Sequence, residues 1–260
     1  MRRRSFFGRW ILPVAFAGWL VSGFTGGAPP AHAGVYTNGC AGPSACTFQE
    51  LLLGGSITAG GQRFADFAIE DDPGTMDWNA VVVTGRDDMG LSPGPGLEFA
   101  HNGEAVTNGT DGIDLQFSYT VTPVIPAWQP ISNELEFGNH ALSGTGRIEI
   151  DETLFDGSRR AIGDKTVRSD EAFETSRFLD SIQFPPQAGG LLVSNTLEIE
   201  GQDPGDHADL EDYVQRFALQ VVPEPGFVPA LVGSTVLFAF LGKQRSRRPA
   251  APVERGGEEK

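Results

Sequence analysis

Between residues 114 and 122 the chain alternates without a fault: Leu115, Phe117, Tyr119 and Val121 are apolar, while Asp114, Gln116, Ser118, Thr120 and Thr122 are polar. A period of two places all four apolar side chains on one face of an extended strand, which a helix with its 3.6-residue turn would scatter. Similar alternation occupies 147–150 and 197–200. Further strands are expected at 62–70, 79–84, 96–101, 132–137, 160–167, 177–184 and 212–221. Asn108-Gly109, Asp111-Gly112, Asp156-Gly157 and Gly189-Gly190 separate these runs with turn residues. The chain's 34 Gly and 18 Pro supply many more such turns, and its 18 Phe supply a core. Many short strands without long helices predict an all-β fold, an antiparallel β-sandwich of jelly-roll type. One short N-terminal helix is expected, because Thr47-Phe48-Gln49-Glu50 forms a capping box ahead of Leu51, Leu52 and Leu53, and Gly54-Gly55 stops it.

The two ends read differently. Arg2, Arg3, Arg4 and Arg9 precede an apolar run over 10–24, and Ala31-His32-Ala33 supplies small residues at Ala31 and Ala33, so a signal peptide over 1–33 with cleavage after Ala33 is expected. Arg3-Arg4-Ser5-Phe6-Phe7 also resembles a twin-arginine signal, which leaves the choice between that export route and the general one open. At the other end, Pro223-Glu224-Pro225 precedes an apolar segment over 226–242 and then Lys243, Arg245, Arg247 and Arg248. As a helix those apolar residues would cover roughly 25 Å, just short of a hydrocarbon core. The basic cluster would stay on the cytoplasmic side and put the preceding chain outside. Two prolines fix φ and remove two backbone donors, so the tripeptide stays extended and open to a protease.

Residues 222–248 resemble the PEP-CTERM sorting signal of Gram-negative, exopolysaccharide-producing bacteria, with tripeptide, apolar span and basic cluster in order. The resemblance implies an exosortase-type membrane protease as partner, acting at Pro223, Glu224 and Pro225. It also implies transient inner-membrane anchoring through a C-terminal transmembrane sorting helix, then the cell surface or extracellular matrix. A plain C-terminal anchor behind a chance tripeptide is the alternative. The expected organisation is a signal peptide (1–33), a β-sandwich body (34–221), the sorting signal (222–248) and a disordered tail (249–260). The body is also similar to a recurring group of exported PEP-CTERM proteins. The likeness rests on Leu52-Leu53-Gly54-Gly55-Ser56-Ile57, Phe64-Ala65-Asp66-Phe67, Pro95-Gly96-Leu97-Glu98-Phe99 and Gly144-Thr145-Gly146, and it implies no chemistry.

Between residues 34 and 222, nine Arg and Lys stand against thirty Asp and Glu, a net charge of −21. Such a field repels phosphate backbones and excludes nucleic acid as a ligand. Cys40 and Cys46 are the chain's two cysteines, and in an exported protein they predict a small disulfide loop.

Signs of catalysis are few. Gly90-Leu91-Ser92-Pro93-Gly94 matches a nucleophile elbow in letters, yet Pro93 has no N–H to offer an oxyanion. His101, His140 and His207 fall in no metal or triad spacing. No catalytic residue, cofactor-binding residue or metal ligand is therefore expected. Two acidic stretches leave weak calcium binding open: Glu70, Asp71, Asp72 and Asp77, and then Asp203, Asp206, Asp209, Glu211 and Asp212. Trp78, at the start of a strand, and Trp128, in the Pro-rich loop over 123–130, are either core residues or sugar platforms, Trp128 being the more exposed of the two. The expectation is a non-catalytic surface or matrix protein associated with exopolysaccharide or biofilm. The alternative is a lectin-like carbohydrate-binding module, with or without calcium.

Overall fold

The computed structural model describes residues 34–222, except 73, 75, 89–91 and 171–175. Ala31 and Ala33, Pro223, Glu224 and Pro225, the sorting helix, Lys243, Arg245, Arg247 and Arg248, and the 249–260 tail lie outside the described residues. Among the described residues no helix is long and apolar enough to cross a membrane.

The chain begins with β1 (Tyr36–Asn38), β2 (Ala45–Thr47) and the helix α1 (Phe48–Leu52). Next come β3 (Ser56–Ala59), β4 (Gln62–Asp71), β5 (Val82–Arg86), β6 (Gly96–Ala100) and β7 (Val106–Asn108). The long central strands are β8 (Gly112–Pro123) and β9 (Trp128–Phe137), followed by β10 (His140–Ser143), β11 (Arg147–Asp156) and β12 (Ala161–Asp170). The last are β13 (Leu179–Gln183), β14 (Leu191–Glu200), β15 (His207–Leu210) and β16 (Asp212–Val221).

All pairings between these strands are antiparallel. One sheet has the order β1-β3-β4-β8-β14-β11-β12, the facing sheet β13-β9-β16-β6-β5-β2, and a small third sheet β10-β15-β7. From β8 onward the chain passes repeatedly from sheet to sheet, as in a jelly roll, so the antiparallel β-sandwich expected from the alternation is what forms. Leu115, Phe117, Tyr119 and Val121 all lie inside it, within 1 % of full burial. Along one edge the two sheets are joined by backbone: the N–H groups of Arg168 and Arg177 each donate to the other's carbonyl, at 2.9 and 2.7 Å.

Helix α1 starts where the capping box placed it. The Glu50 N–H donates to Thr47 Oγ1 at 3.2 Å, and the Thr47 N–H donates to Glu50 Oε2 at 2.9 Å. The Thr47 N–H, with the Ala41 N–H on the other carboxylate oxygen at 2.9 Å, holds the Glu50 carboxyl below its ordinary range. The helix delivers Phe48 and Leu51 to the core. Phe48 meets Phe67 and Phe117 edge-on at 5.8 and 5.2 Å, and Trp78 at 5.1 Å. Cys40 and Cys46 form the expected disulfide beside this helix.

Two expectations change. Trp78 sits in a turn over 78–80, and the strand that follows begins only at Val82. Trp128, expected in the Pro-rich loop and as the more exposed of the two tryptophans, opens β9 and is 4 % exposed, a core residue. Pro130, which suggested a loop, faces Leu219 at the register shift between Ala218 and Leu219. A bulge is a place where a sheet tolerates a residue without an N–H.

The interior has a polar centre. Glu152 and Lys165 face each other across β11 and β12, and both side chains are fully buried. Lys165 Nζ donates to Glu152 Oε1 and to Asn133 Oδ1, the latter from the opposite sheet. Gln215 Nε2 donates to Glu152 Oε2 and Asn195 Oδ1, and Tyr119 Oη donates to Gln215 Oε1. Burial raises the Glu152 carboxyl above its ordinary range, against the pull of Lys165. Burial, with Glu152 nearby, also lifts the Tyr119 and Tyr213 hydroxyls well above theirs.

Candidate functional surface

The sealed centre admits no ligand, and attention falls on the outer face of the seven-stranded sheet. Its central strands pair in register, so side chains line up in rows across four strands. One row is Ser118, Ser194, Thr153 and Asp164; the next is Gln116, Thr196, Asp151 and Thr166. These short hydroxyl, amide and carboxylate groups follow from the polar half of the sequence alternation, which an antiparallel sheet turns outward. Thr166 Oγ1 donates to Asp151 Oδ1, which fixes one of the carboxylates.

One end of this floor carries taller ionic side chains. Asp114, Glu198, Glu149 and Arg168 form a row, and Glu200 and Arg147 stand in the row beyond. Arg147 lies 3.8 Å from both Glu198 and Glu200, and Arg168 lies 3.7 Å from Glu149. Partial burial lifts the Glu198 carboxyl above its ordinary range despite Arg147, and Glu149, Glu200 and Asp114 add to the lift.

The other end opens into a recess of about 240 Å³ bordered by Asp66, Thr120, Thr122, Asp156, Arg159 and Leu192. Asp66 has φ 55° at the irregularity between Ala65 and Ala68, and its Oδ2 accepts from Thr120 Oγ1 at 2.8 Å. Arg159 has φ 62° in the Asp156-Gly157 turn. Asp156 Oδ1 accepts from the Ser158 hydroxyl at 2.6 Å and from the Ser158 and Arg160 N–H groups, which holds its carboxyl below the ordinary range. Two non-glycine residues in the left-handed region thus flank one polar recess. A second recess, of about 310 Å³, lies on the six-stranded sheet between Ser92, Ser132, Gln183, Phe184 and Gln220, and among the described residues none that lines it is titratable.

The residues singled out in the sequence do not converge. His101 is buried beside Tyr213, ring centroids 5.8 Å apart, and burial lowers its imidazole to about 4 despite the charge of Asp212. His140 packs on Phe137 and Phe178 and lies 3.1 Å from the hydroxyl of Ser169. Its other nitrogen faces the Gly138 carbonyl rather than a carboxylate, and Ser169 is 5 % exposed, so the pair lacks the orienting acid and access of a hydrolase. His207 lies 3.1 Å from Asn108. In the 90–94 motif, Gly90 and Leu91 lie outside the described residues, and Gly94, at φ +83°, packs against the backbone of Phe217, a turn's role.

The later acidic stretch is a turn. Asp206 accepts from the Thr145 hydroxyl at 2.6 Å and from the N–H groups of Thr145, Gln202 and Asp203 at 2.7–2.9 Å, and these donors hold its carboxyl far below the ordinary range. Its oxygens are taken up inside the chain. In the earlier stretch Asp72 accepts from the Gly74 N–H and Asp77 from the Asn79 N–H. Among the described residues, the one group of potential ligands close enough for a metal is Cys40, Cys46 and Glu50, and its two sulfurs are bonded to each other.

No protein-family model matches the chain, and no curated protein matches it. Among solved structures, similarity is found to a carbohydrate-binding module, TmCBM61, solved with beta-1,4-galactotriose: 12 % identity over 58 % of this chain and 88 % of that one, TM-score 0.27. A family 11 carbohydrate-binding module of Clostridium thermocellum is 13 % identical over 61 % of this chain and 88 % of its own, TM-score 0.18. The bacteriophage CBA120 tailspike protein 4 is 11 % identical over 60 % of this chain and 19 % of its own, TM-score 0.25. At these values no residue here takes a role from them.

Proposed function

We propose that this is a non-catalytic exported protein, processed at its tail by an exosortase-type membrane protease and displayed at the cell surface or in the exopolysaccharide matrix. The order of Pro223-Glu224-Pro225, apolar segment and Lys243, Arg245, Arg247 and Arg248 carries the reading. Two structural features support it. Strand β16 ends at Val221, and the Val222 N–H donates to the Ala127 carbonyl at 2.7 Å, so the sandwich closes one residue before the tripeptide. The Cys40–Cys46 disulfide suits an oxidising compartment. Replacing Pro223 or Glu224 with Ala is expected to leave a membrane-retained precursor on immunoblots of fractionated cells. Mature protein at normal size and yield would refute the sorting role.

A second reading, polysaccharide binding by the body, is favoured by the rows of Ser, Thr, Gln and Asp on the seven-stranded face, whose groups match the hydroxyls of a sugar chain. Trp128 offers it no stacking platform, being buried. Thr196→Arg, which raises a bulky side chain in the middle of that floor, is expected to abolish retention on immobilised exopolysaccharide without altering thermal unfolding. Unchanged retention would remove this face from consideration, and repeating the assay with calcium and with chelator tests whether the ion assists.

A further inference from the structure

Lys165 is the one lysine between residues 34 and 222, and it is fully buried where a sandwich of this kind needs no charge. Its Nζ touches two groups with different chemistry: the carboxylate of Glu152 on the neighbouring strand and the carboxamide of Asn133 on the facing sheet. Asn133 is also fully buried, and its Nδ2 has no hydrogen-bond partner. Glu152 is held in place by Gln215, which Tyr119 holds in turn. An amine, an acid–base group and an amide carbon stand together away from water, an arrangement that favours acyl transfer to the amine over hydrolysis.

We propose that Lys165 and Asn133 join in an intramolecular isopeptide bond, with Glu152 carrying the protons. In the first step the Lys165 ammonium passes a proton to Glu152 Oε1, which it touches, and becomes an amine. Its lone pair attacks Asn133 Cγ, forming the Nζ–Cγ bond and a tetrahedral centre. That centre collapses as the Cγ–Nδ2 bond breaks, with the amine's second proton and the carboxyl's proton going to the departing nitrogen. Ammonium leaves, Glu152 is again a carboxylate, and a neutral secondary amide replaces a buried charge. No oxidant or co-reactant enters. Glu152 is the catalytic residue, and Gln215 positions it. The product ties β12 of one sheet to β9 of the other and closes the loop over 133–165, beside the edge where Arg168 and Arg177 already join the sheets.

The test is peptide mapping by tandem mass spectrometry on the full-length protein from its folded fraction. The expected result is a branched peptide joining Lys165 to Asn133, lighter by one ammonia than its two parts. Glu152→Gln keeps the side-chain volume and an oxygen facing Nζ, and should yield linear peptides while still unfolding cooperatively. Asn133→Asp should give the same branched peptide with loss of water in place of ammonia, the fragment ions on both arms setting it apart from a succinimide elsewhere. Unlinked Lys165 and Asn133 peptides from folded wild-type protein would overturn the proposal, and linkage persisting in Glu152→Gln would overturn the role of Glu152. Neither outcome depends on export, tail processing or sugar binding.

Discussion

Two halves of the same interior are built on opposite chemistry. Around β4, β6 and β8 the contents are rings: Phe99 stacks on Tyr213 at 4.8 Å, Phe67 stacks on Tyr119 at 5.0 Å, and Phe117 lies 5.6 Å from Phe99. Around β9, β11, β12 and β14 the corresponding space holds Lys165, Glu152, Asn133 and Asn195. Tyr119 belongs to both, its ring among the aromatics and its hydroxyl on Gln215. The aromatic half gains from burial of area, spread over many small contacts. The polar half gains only when every partner is present, since one missing group strands another without water. Cohesion should therefore fail gradually in the first half and abruptly in the second.

The sharpest break should come from Glu152→Ala, which leaves the Lys165 ammonium without its counter-charge and should cost about 4 kcal/mol in denaturant unfolding. The double variant Glu152→Leu with Lys165→Met should be markedly more stable than Glu152→Ala. Any cross-link is absent from both, so their difference reports the stranded charge together with the space that the leucine refills, and no part of it comes from the link.

Acid should act on the aromatic half through His101. Its folded value of about 4 lies below the ordinary 6.5, so the unfolded chain binds the proton more readily between them. The associated stability is complete above pH 6.5 and is lost as pH falls through 4, by roughly 3 kcal/mol. Glu152, whose carboxyl is raised, contributes the opposite slope. Unfolding midpoints of wild type and His101→Gln at neutral and acidic pH should diverge at neutral pH and converge in acid.

Phe117→Leu should cost only about 1–2 kcal/mol, because neighbouring rings can settle around a smaller apolar side chain. Loss of cooperativity in that variant would show the aromatic half to be as exacting as the polar one. The smallest effect should be that of Thr47→Ala, about 1 kcal/mol from the lost helix cap, seen as faster amide exchange near Phe48 with the polar centre unmoved.

The sandwich was legible because its strands declare their buried faces, as 115–121 does. The short strands β1, β2, β7, β10 and β15, of three or four residues, carry too few alternations to declare anything. Pro130 implies a loop around Trp128, and nothing local announces that a bulge at Ile131 of β9 lets the strand take the proline in beside β16. The polar centre did leave a trace. Glu152 falls on the inward parity of Ile148, Ile150 and Leu154, Asn195 between Val193 and Leu197, and Gln215 between Tyr213 and Phe217. A polar residue in an apolar register marks a strand that must meet a partner, but which partner depends on sheet order, and that is not local. The rows on the outer face were hidden for the same reason, since cross-strand register aligns Ser118 with Ser194 and Thr153.

Strand β16 is the last to leave the ribosome, yet it lies in the middle of its sheet, between β9 and β6. Until residues 212–221 arrive, those two neighbours have a gap between them that no earlier segment fills, and assembly must wait on contacts distant in sequence. A nascent chain built this way holds all seven strands of one sheet before the other can close, so the sandwich acquires its second wall in a single late step.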